Sequence, residues 1–169
     1  MTNEYECDEI CKEIEYYNSL PYIFEDFIDL ELREGDMELV CTDKQPAQTN
    51  KRWVPGYVFD ICVTGEKVGI INLRIGYTEG LYYGGQIGYR VDEAHRGKNY
   101  AARACRLIAH LARAHGMTKL LIANDRENTA SIRVCEKLGA RLVRAVALPE
   151  WHDLYQRGGR FSNVYEWVL

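Results

Sequence analysis

The stretch YRVDEAHRGKNYAARA, residues Tyr89–Ala104, joins a predicted strand to a predicted helix through a short turn that carries a glycine and several cationic side chains. The strand pattern ends near Val91, and small and apolar residues recur at helical spacing from Asn99 onward. One interpretation is an ordinary connection whose lysine and arginine side chains are solvated. The other is that the unpaired N–H groups at the start of the helix are directed at an anion.

The pattern on either side of this stretch predicts one mixed sheet with helices on its faces. Two apolar, β-branched runs, residues 57–63 and 67–75, flank Thr64-Gly65-Glu66 and predict a hairpin. The fold class is therefore α/β (α+β): a single domain over residues 1–169 with a mixed, mostly antiparallel central sheet flanked by helices. The other expected elements are helices over 7–18, 99–115 (ending at Gly116) and 128–139, strand-like runs on both sides of 34–36, strands over 86–91, 119–123, 141–148 and 161–169, and loops over 41–56, 77–85 and 149–160.

Charge is distributed unevenly along the chain. Residues 1–40 contain thirteen acidic and two basic residues, a balance of −11, so the net charge of −4 leaves +7 on the remaining 129 residues. A basic body fits a phosphorylated ligand or a nucleic acid. The alternative is that the two parts attract each other within the molecule. A pI of about 5.6 argues against a dedicated nucleic-acid binder.

Cysteine usage and hydropathy favour a reducing compartment. None of the six cysteines forms a CxxC pair. Cys7 and Cys11 stand one helical turn apart, but no further ligand pair at metal-binding spacing accompanies them, so we expect reduced, buried thiols and no metal. The acidic start of the chain does not resemble a secretory leader, and no apolar run reaches the length of a membrane span. We expect a cytoplasmic protein without membrane contact.

Two motifs resemble those of the GNAT superfamily of acyl-CoA-dependent N-acyltransferases. Residues 96–101, RGKNYA, are similar to its pattern of Arg or Gln, two residues, Gly, one residue, and Gly or Ala. Residues 128–140, NTASIRVCEKLGA, look like its Asn-x-x-Ser followed by Glu-Lys-Leu-Gly. The resemblance is strongest over 57–147, with 1–50 as a variable acidic part, and its general character is that of the ribosomal-protein N-acetyltransferase branch.

The resemblance implies that acetyl-CoA is the cosubstrate and that residues 96–101 hold its pyrophosphate. It also implies that residues 87–91 splay away from the next strand and pair with the pantetheine arm, although an ordinary internal strand remains an alternative. Asn128 would reach the coenzyme, cap the helix, or do both. The residues so assigned to the coenzyme are Tyr89, Arg90, Val91, Arg96, Gly97, Lys98, Asn99, Tyr100, Ala101, Asn128 and Ser131.

The chain departs from the family pattern at two positions. Asn99 occupies the usual place of the second glycine; asparagine tolerates the left-handed conformation, so we expect the loop to keep its shape. Cys135 stands where many members have a tyrosine that protonates the leaving thiolate. We interpret Cys135 as a core residue, with Tyr165 or water as substitutes, and we assign no catalytic acid.

The base and the acceptor are left open by the sequence. Attack on a thioester requires a deprotonated amine. The polar residues expected near the acceptor side are Glu79, Gln86, Glu93, Asn124 and His152, and none is assigned as the base.

The acceptor is expected to be an amine-bearing small molecule or a protein N-terminus. The acidic N-terminal part supplies a hypothetical site for a cationic amine at Glu25, Asp26, Asp29 and Glu31. The aromatic loops GLYYGG and PEWHDLY are further candidates for the acceptor side.

Two other functions are compatible with the sequence. A non-catalytic acyl-CoA-binding module would keep the loop but lack turnover, and Asn99 and Cys135 favour it. A nucleic-acid partner would use the positive face around residues 90–119, although we expect no nucleic acid. A homodimer is possible through the C-terminal strand, residues 163–169, if that strand lies at a sheet edge.

Overall fold

The computed structural model describes residues 4–169, which form eight strands and five α-helices around one sheet. The elements are α1 (Glu4–Asn18), β1 (Leu32–Glu34), β2 (Met37–Gln45), β3 (Gly56–Val63), β4 (Glu66–Arg74), α2 (Glu79–Gly84), β5 (Ile87–Val91), α3 (Tyr100–Ala114), β6 (Lys119–Asn124), α4 (Thr129–Leu138), β7 (Arg141–Ala147), α5 (Asp153–Gln156) and β8 (Phe161–Val168).

The sheet is mostly antiparallel, as the sequence predicts. Its strand order is β1-β2-β3-β4-β5-β6-β8-β7, and the pairing is antiparallel everywhere except between β5 and β6. The predicted β3–β4 hairpin is confirmed, and its turn residues Thr64 and Gly65 both have positive φ, which matches the twist of a two-residue hairpin. The chain folds as a single mixed α/β domain.

Helices α3 and α4 confirm the predicted periodicity and ends. The apolar face of α3 is buried against the sheet, and Gly116 follows the helix with φ of 73°, a conformation that favours glycine. Asn128 caps α4 by accepting a hydrogen bond from the Ser131 N–H, and Gly139 ends that helix in the left-handed region. Fully buried side chains of the core, on α3 and on the strands of the sheet, include Ile61, Ile71, Leu73, Ile108, Leu111, Leu120 and Leu121.

Four element predictions are wrong. Within residues 149–160, expected as a loop, residues 153–156 form α5. Residues 79–84, expected within a glycine-rich loop, form α2, which Thr78 caps through its hydroxyl. β2 extends to Gln45, into the expected loop. The C-terminal strand β8 lies between β6 and β7 and is not an edge strand; the edges of the sheet are β1 and β7.

The acidic N-terminal part is joined to the rest of the chain by ion pairs. Arg144 of β7 contacts Glu9 and Glu13 of α1 at 3.0 and 2.8 Å. Glu166 of β8 accepts a hydrogen bond from Tyr17 of α1 at 2.8 Å. Part of the negative charge of the N-terminal region is therefore balanced by ion pairs with basic residues elsewhere in the chain.

The prediction of buried thiols is wrong for most cysteines. Cys7, Cys11 and Cys41 are exposed and Cys62 is half-buried, while only Cys105 and Cys135 are buried. The residues of α1 that pack against the core are Ile10, Ile14 and Tyr17, which have larger apolar side chains than the cysteines. Within residues 4–169 no three His, Cys, Asp or Glu side chains cluster as a metal ion would require. No helix in that range is long and apolar enough to cross a membrane.

Candidate active site

Strand β5 separates from β6 after a single pair. β5 pairs with β4 at five positions, whereas its parallel pairing with β6 is limited to Ile87 and Ile122. The two strands then diverge toward their carboxyl ends, and a V-shaped cleft opens between them. Clefts at the carboxyl ends of adjacent parallel strands are common ligand sites in α/β folds. The predicted splay of residues 87–91 is therefore present.

Gln86 closes the apex of this cleft. Its backbone joins β4 and β6, since the Arg74 N–H donates to its carbonyl and its own N–H donates to the Leu121 carbonyl. Its side chain repeats the link: Oε1 accepts from the Leu121 N–H at 2.6 Å and Nε2 donates to the Gly76 carbonyl at 3.1 Å. Gln86 is fully buried and both ends of its amide are used, so it is a structural residue and not a catalytic base.

The loop after β5 presents the start of α3. Gly97 has φ of 79° and Asn99 has φ of 64°, so Asn99 adopts the left-handed conformation expected of it in place of glycine. A Cβ added at Gly97 would meet no atom within 4 Å, which leaves the backbone open to a ligand. The first N–H groups of α3 have no partner within the helix. This loop therefore fits an anionic group such as a pyrophosphate.

The side chains of residues 96–101 differ in their contacts and in their exposure. Arg96 donates through Nε to the Val91 carbonyl at 3.1 Å, which ties the loop to the end of β5. Lys98 is exposed, and Tyr100 and Ala101 are half-buried at the start of α3. Val91 and Arg90 lie on the splayed part of β5. Apart from Asn128 and Ser131 at the start of α4, all the predicted coenzyme residues lie on β5, this loop and the first turn of α3.

A pair of hydroxyl groups lines the cleft. Tyr89 of β5 and Ser131 of α4 approach each other, with 2.8 Å between the phenol oxygen and the Ser131 Oγ. Ser131 is positioned by Asn128, whose Oδ1 accepts from the Ser131 N–H at 3.1 Å. Burial raises the pKa of Tyr89, so its phenol stays protonated at neutral pH. Asn128 serves as the helix cap in this arrangement.

A cavity of about 410 Å³ fills the cleft and continues beyond it. Tyr89 and Ser131 lie on its wall, together with Asn124 and Asp125 at the end of β6. Its outer part is formed by the segment between β7 and β8, which the sequence predicts only as a loop. The lining residues contributed by that segment and by the start of β8 are Leu148, Leu154, Arg157, Gly159, Phe161 and Ser162.

Cys135 is a core residue, as interpreted from the sequence. Its side chain is fully buried, and burial raises the pKa of the thiol to about 12. Asn124 donates to its sulfur at 3.6 Å and accepts from Asn163 at 3.2 Å, so the Asn124 amide is also occupied. Tyr165, the other suggested acid, is buried in β8, and burial raises its pKa.

His152 is unsuited to act as a base. Its Nδ1 accepts a hydrogen bond from the Leu154 N–H at 3.1 Å, so the proton lies on Nε2, which donates to the Gly80 carbonyl at 2.9 Å. Both ring nitrogens are therefore engaged, and the ring joins α5 to α2. Glu79 and Glu93 are exposed and do not line the cavity. Of the five polar residues expected near the acceptor, only Asn124 lines it.

The four carboxylates expected to bind a cationic amine are not brought to the cleft. Asp29 and Glu31 line a separate cavity of about 280 Å³, formed with β2, β3 and α3. Glu25 and Asp26 are exposed on the same irregular segment, and none of the four lines the cleft cavity. Asp29 is paired with Lys44 at 2.6 Å.

Several cationic side chains of residues 90–119 already have partners within the protein. Arg103 pairs with Asp36, and Lys119 lies 3.4 Å from Glu166. Arg106 donates to the Lys137 carbonyl at 2.9 Å. These cations are partly used within the protein, which weakens the case for a nucleic-acid surface.

Comparison with known proteins identifies the family. A family model described as an acetyltransferase (GNAT) domain matches residues 25–141. A search among curated protein sequences finds no match.

Solved structures show the same fold at low sequence identity. A RimL ribosomal L7/L12 alpha-N-protein acetyltransferase, in complex with coenzyme A that is disulfide-bonded to a cysteine, superposes with a TM-score of 0.60 at 15% identity over 83% of this chain and 98% of that one. An acetyltransferase from Salmonella typhimurium, described as modifying the N-terminal serine of ribosomal protein L7/L12, gives 0.53 at 19% identity over 71% and 66%. The microcin C7 self-immunity acetyltransferase MccE, in complex with acetyl-CoA and AMP, gives 0.52 at 16% identity over 72% and 63%.

The chain spans 66% and 61% of the length of two of the matched acetyltransferase structures. At these identities the structural likeness supports the fold, while the family match extends over well more than half of the sequence. The chain therefore belongs to the GNAT family of acetyltransferases.

Proposed function

We propose that the protein transfers an acetyl group from acetyl-CoA to a primary amine by direct attack of the amine on the thioester. The observation that carries this proposal is the single-pair junction of β5 and β6. It opens a cleft between a loop suited to an anion and a wall that presents hydroxyl groups. Both are features that an acyl-CoA-dependent transfer requires.

The coenzyme would be held by backbone groups at two places. The backbone N–H groups at Gly97 and at the start of α3 would donate hydrogen bonds to the pyrophosphate oxygens, with Lys98 adding positive charge. The Gly88 N–H is already bonded to the Asn72 side chain of β4. The edge of β5 that faces the cleft, at Tyr89 and Val91, would pair with the amides of the pantetheine arm in the manner of an added strand. The N–H groups on that edge would also polarise the thioester carbonyl.

The hydroxyl pair would supply the proton to the departing thiolate. Tyr89 and Ser131 are within hydrogen-bonding distance of each other and both line the cavity. Tyr89 would give its proton to the thiolate, and Ser131 would relay to the phenolate the proton that the attacking amine loses, so both hydroxyl groups are restored. Cys135 and Tyr165 are not needed for this step. The Asp125 carboxylate, also on the cavity wall, gives the incoming ammonium group an anionic partner before the amine loses its proton.

The acceptor is a protein N-terminus or an amine-bearing small molecule. The RimL neighbours are described as acetylating a protein N-terminus, and the outer part of the cavity is lined by Phe161, which is 47% exposed. We favour a protein N-terminus, because an exposed aromatic side chain on the cavity wall suits a polypeptide. A cytoplasmic location belongs to the proposal as well, since all six cysteines are unpaired.

Calorimetric titration of the wild type and of Gly97→Glu with acetyl-CoA and CoA tests the cofactor. We expect micromolar binding by the wild type and a loss of at least about 100-fold in the variant, because a carboxylate would enter the space meant for phosphate. Gly158→Glu is the matched control, since Gly158 also has a positive φ of 102° and open surroundings but follows α5, between β7 and β8.

Release of free thiol from acetyl-CoA then tests turnover. The acceptor panel contains peptides with free and with acetylated N-termini, a polyamine and an aminoglycoside. Thiol release with free N-termini alone supports the favoured acceptor. Tight CoA binding without thiol release for any amine would instead support a module that binds the coenzyme without turnover.

A further inference from the structure

Lys137, near the end of α4, reaches across to the loop that begins α3. Its Nζ donates to the Asn99 Oδ1 at 3.0 Å. The backbone of the same residue is also fixed, since its carbonyl accepts from Arg106 of α3 at 2.9 Å. A lysine side chain loses considerable rotamer entropy when it is held in this way. The cation therefore lies at the edge of the loop formed by residues 96–101.

Asn99 holds this lysine and leaves the helix start open. An asparagine preceding a helix usually accepts a hydrogen bond from one of the first N–H groups. Asn99 makes no such bond, because its left-handed backbone turns the amide away from α3 and toward α4. The first N–H groups of α3 thus remain available, and the side-chain oxygen is used to position an ammonium group beside them.

We propose that Lys137 binds the pyrophosphate of the coenzyme, with Asn99 as its positioning residue. The inference rests on the proposed function. An ammonium group has three N–H donors, and Asn99 takes one of them, so two remain for phosphate oxygens. A glycine at position 99 would let the backbone approach the phosphate but could not fix this charge. With asparagine at position 99, a close contact between the backbone and the phosphate is lost, and the ammonium group of Lys137 takes its place.

The lysine is tested by titrating CoA and 3′-dephospho-CoA into Lys137→Met at low ionic strength. We expect both dissociation constants to rise by a similar factor of about five to ten, and the difference from wild type to shrink at about 0.5 M salt as screening increases. Lys12→Met is the matched control, an exposed lysine on α1, and should bind both ligands as the wild type does.

The positioning role is tested by a double-mutant cycle. Asn99→Gly should weaken CoA binding about threefold when Lys137 is present and leave it unchanged in the Lys137→Met background. A merely structural asparagine would give the same effect in both backgrounds, which would contradict its positioning role.

Three results would overturn the inference, and they are distinguishable. Equal affinities of wild type and Lys137→Met for CoA would remove the lysine from the site while leaving the proposed function intact. A loss for CoA but not for 3′-dephospho-CoA would mean that Lys137 contacts the 3′-phosphate and not the pyrophosphate. A folded wild type that binds neither ligand would overturn the proposed function itself.

Discussion

Strand β6 has two neighbours, β8 and β5, which pair with it to very different extents. On one side β8 pairs with it at six consecutive positions, from Lys119 to Asn124. On the other side β5 meets it at Ile122 alone. The same apolar strand, KLLIAN, therefore belongs to a continuous sheet on one edge and to an open cleft on the other. The cleft therefore exists because β5 makes only one pair with β6. It does not depend on any difference in the residues of β6 itself.

The largest effect is expected where the cleft is narrowest. A Cβ at Gly85 would lie 2.8 Å from the Leu121 carbonyl and 2.9 Å from the Ala123 N–H, and Gly85 has a φ of 75°. Gly85→Ala should lower the free energy of unfolding by about 3 kcal/mol or more, measured by urea denaturation. Gly65→Ala is the matched control: its φ is 79° but its surroundings are open, so a loss of only about 1–2 kcal/mol is expected. Equal losses would mean that close packing at the apex is unimportant.

A smaller effect, on rate and not on folding, is expected at the hydroxyl pair. Tyr89→Phe removes the group that bonds Ser131 at 2.8 Å. We expect kcat to fall about 10- to 100-fold with little change in the KM for acetyl-CoA, because the proton donor acts on the leaving group and not on coenzyme binding. The control is Tyr77→Phe, which loses a hydroxyl bonded to the Lys119 carbonyl outside the cleft. A Tyr89→Phe enzyme with normal kcat would exclude this route for the proton.

The smallest effect is expected on the side of β6 that pairs with β8. There the stability of the fold should depend on pH through Glu166 of β8. Burial opposes ionisation of Glu166, but the hydrogen bond from Tyr17 and the charges of Lys119 and Arg141 outweigh it, so its pKa lies below 4.5. A depressed pKa in the folded state stabilises the protein above the unfolded value and loses that contribution as pH falls through the folded value. Glu166→Gln should therefore cost about 1 kcal/mol at pH 7.

The cost of Glu166→Gln should shrink as the pH is lowered below about 4.5. Thermal unfolding of both proteins across pH 3–7 measures this. A cost that is independent of pH would mean that the packing of the side chain, and not its charge, joins α1 to β8.

The parts of the fold that depend on neighbouring residues could be predicted from the sequence. The β3–β4 hairpin and the ends of α3 and α4 follow from local periodicity and from Gly65, Gly116 and Asn128. The short helix α2 could not, because its six residues include two glycines and its place depends on contacts with α1, among them the hydrogen bond from Tyr82 to Glu13. The interior position of β8 depends on strand order, which no local pattern encodes.

The candidate site was predictable to a similar extent. The motif residues cluster because they follow two adjacent strands at the same edge of the sheet. The outer wall, from Leu148 to Ser162, could not be assigned because a loop pattern does not indicate what the loop covers. The acidic residues 25–31 illustrate the converse: a concentration of charge in the sequence did not mark the cleft, since that segment packs against β2 and β3 instead.

The side chain of Gln86 has a consequence for how the coenzyme would arrive. By bonding Leu121 and Gly76 as a strand would, it lets the sheet divide without leaving buried polar groups unsatisfied; among the described residues no buried side-chain nitrogen or oxygen lacks a partner. A ligand entering the gap has no β-ladder to break first and little backbone to order. Association should therefore be a single concentration-dependent phase without a slow conformational step, and the heat-capacity change should reflect only the surface of the ligand and cleft that becomes buried.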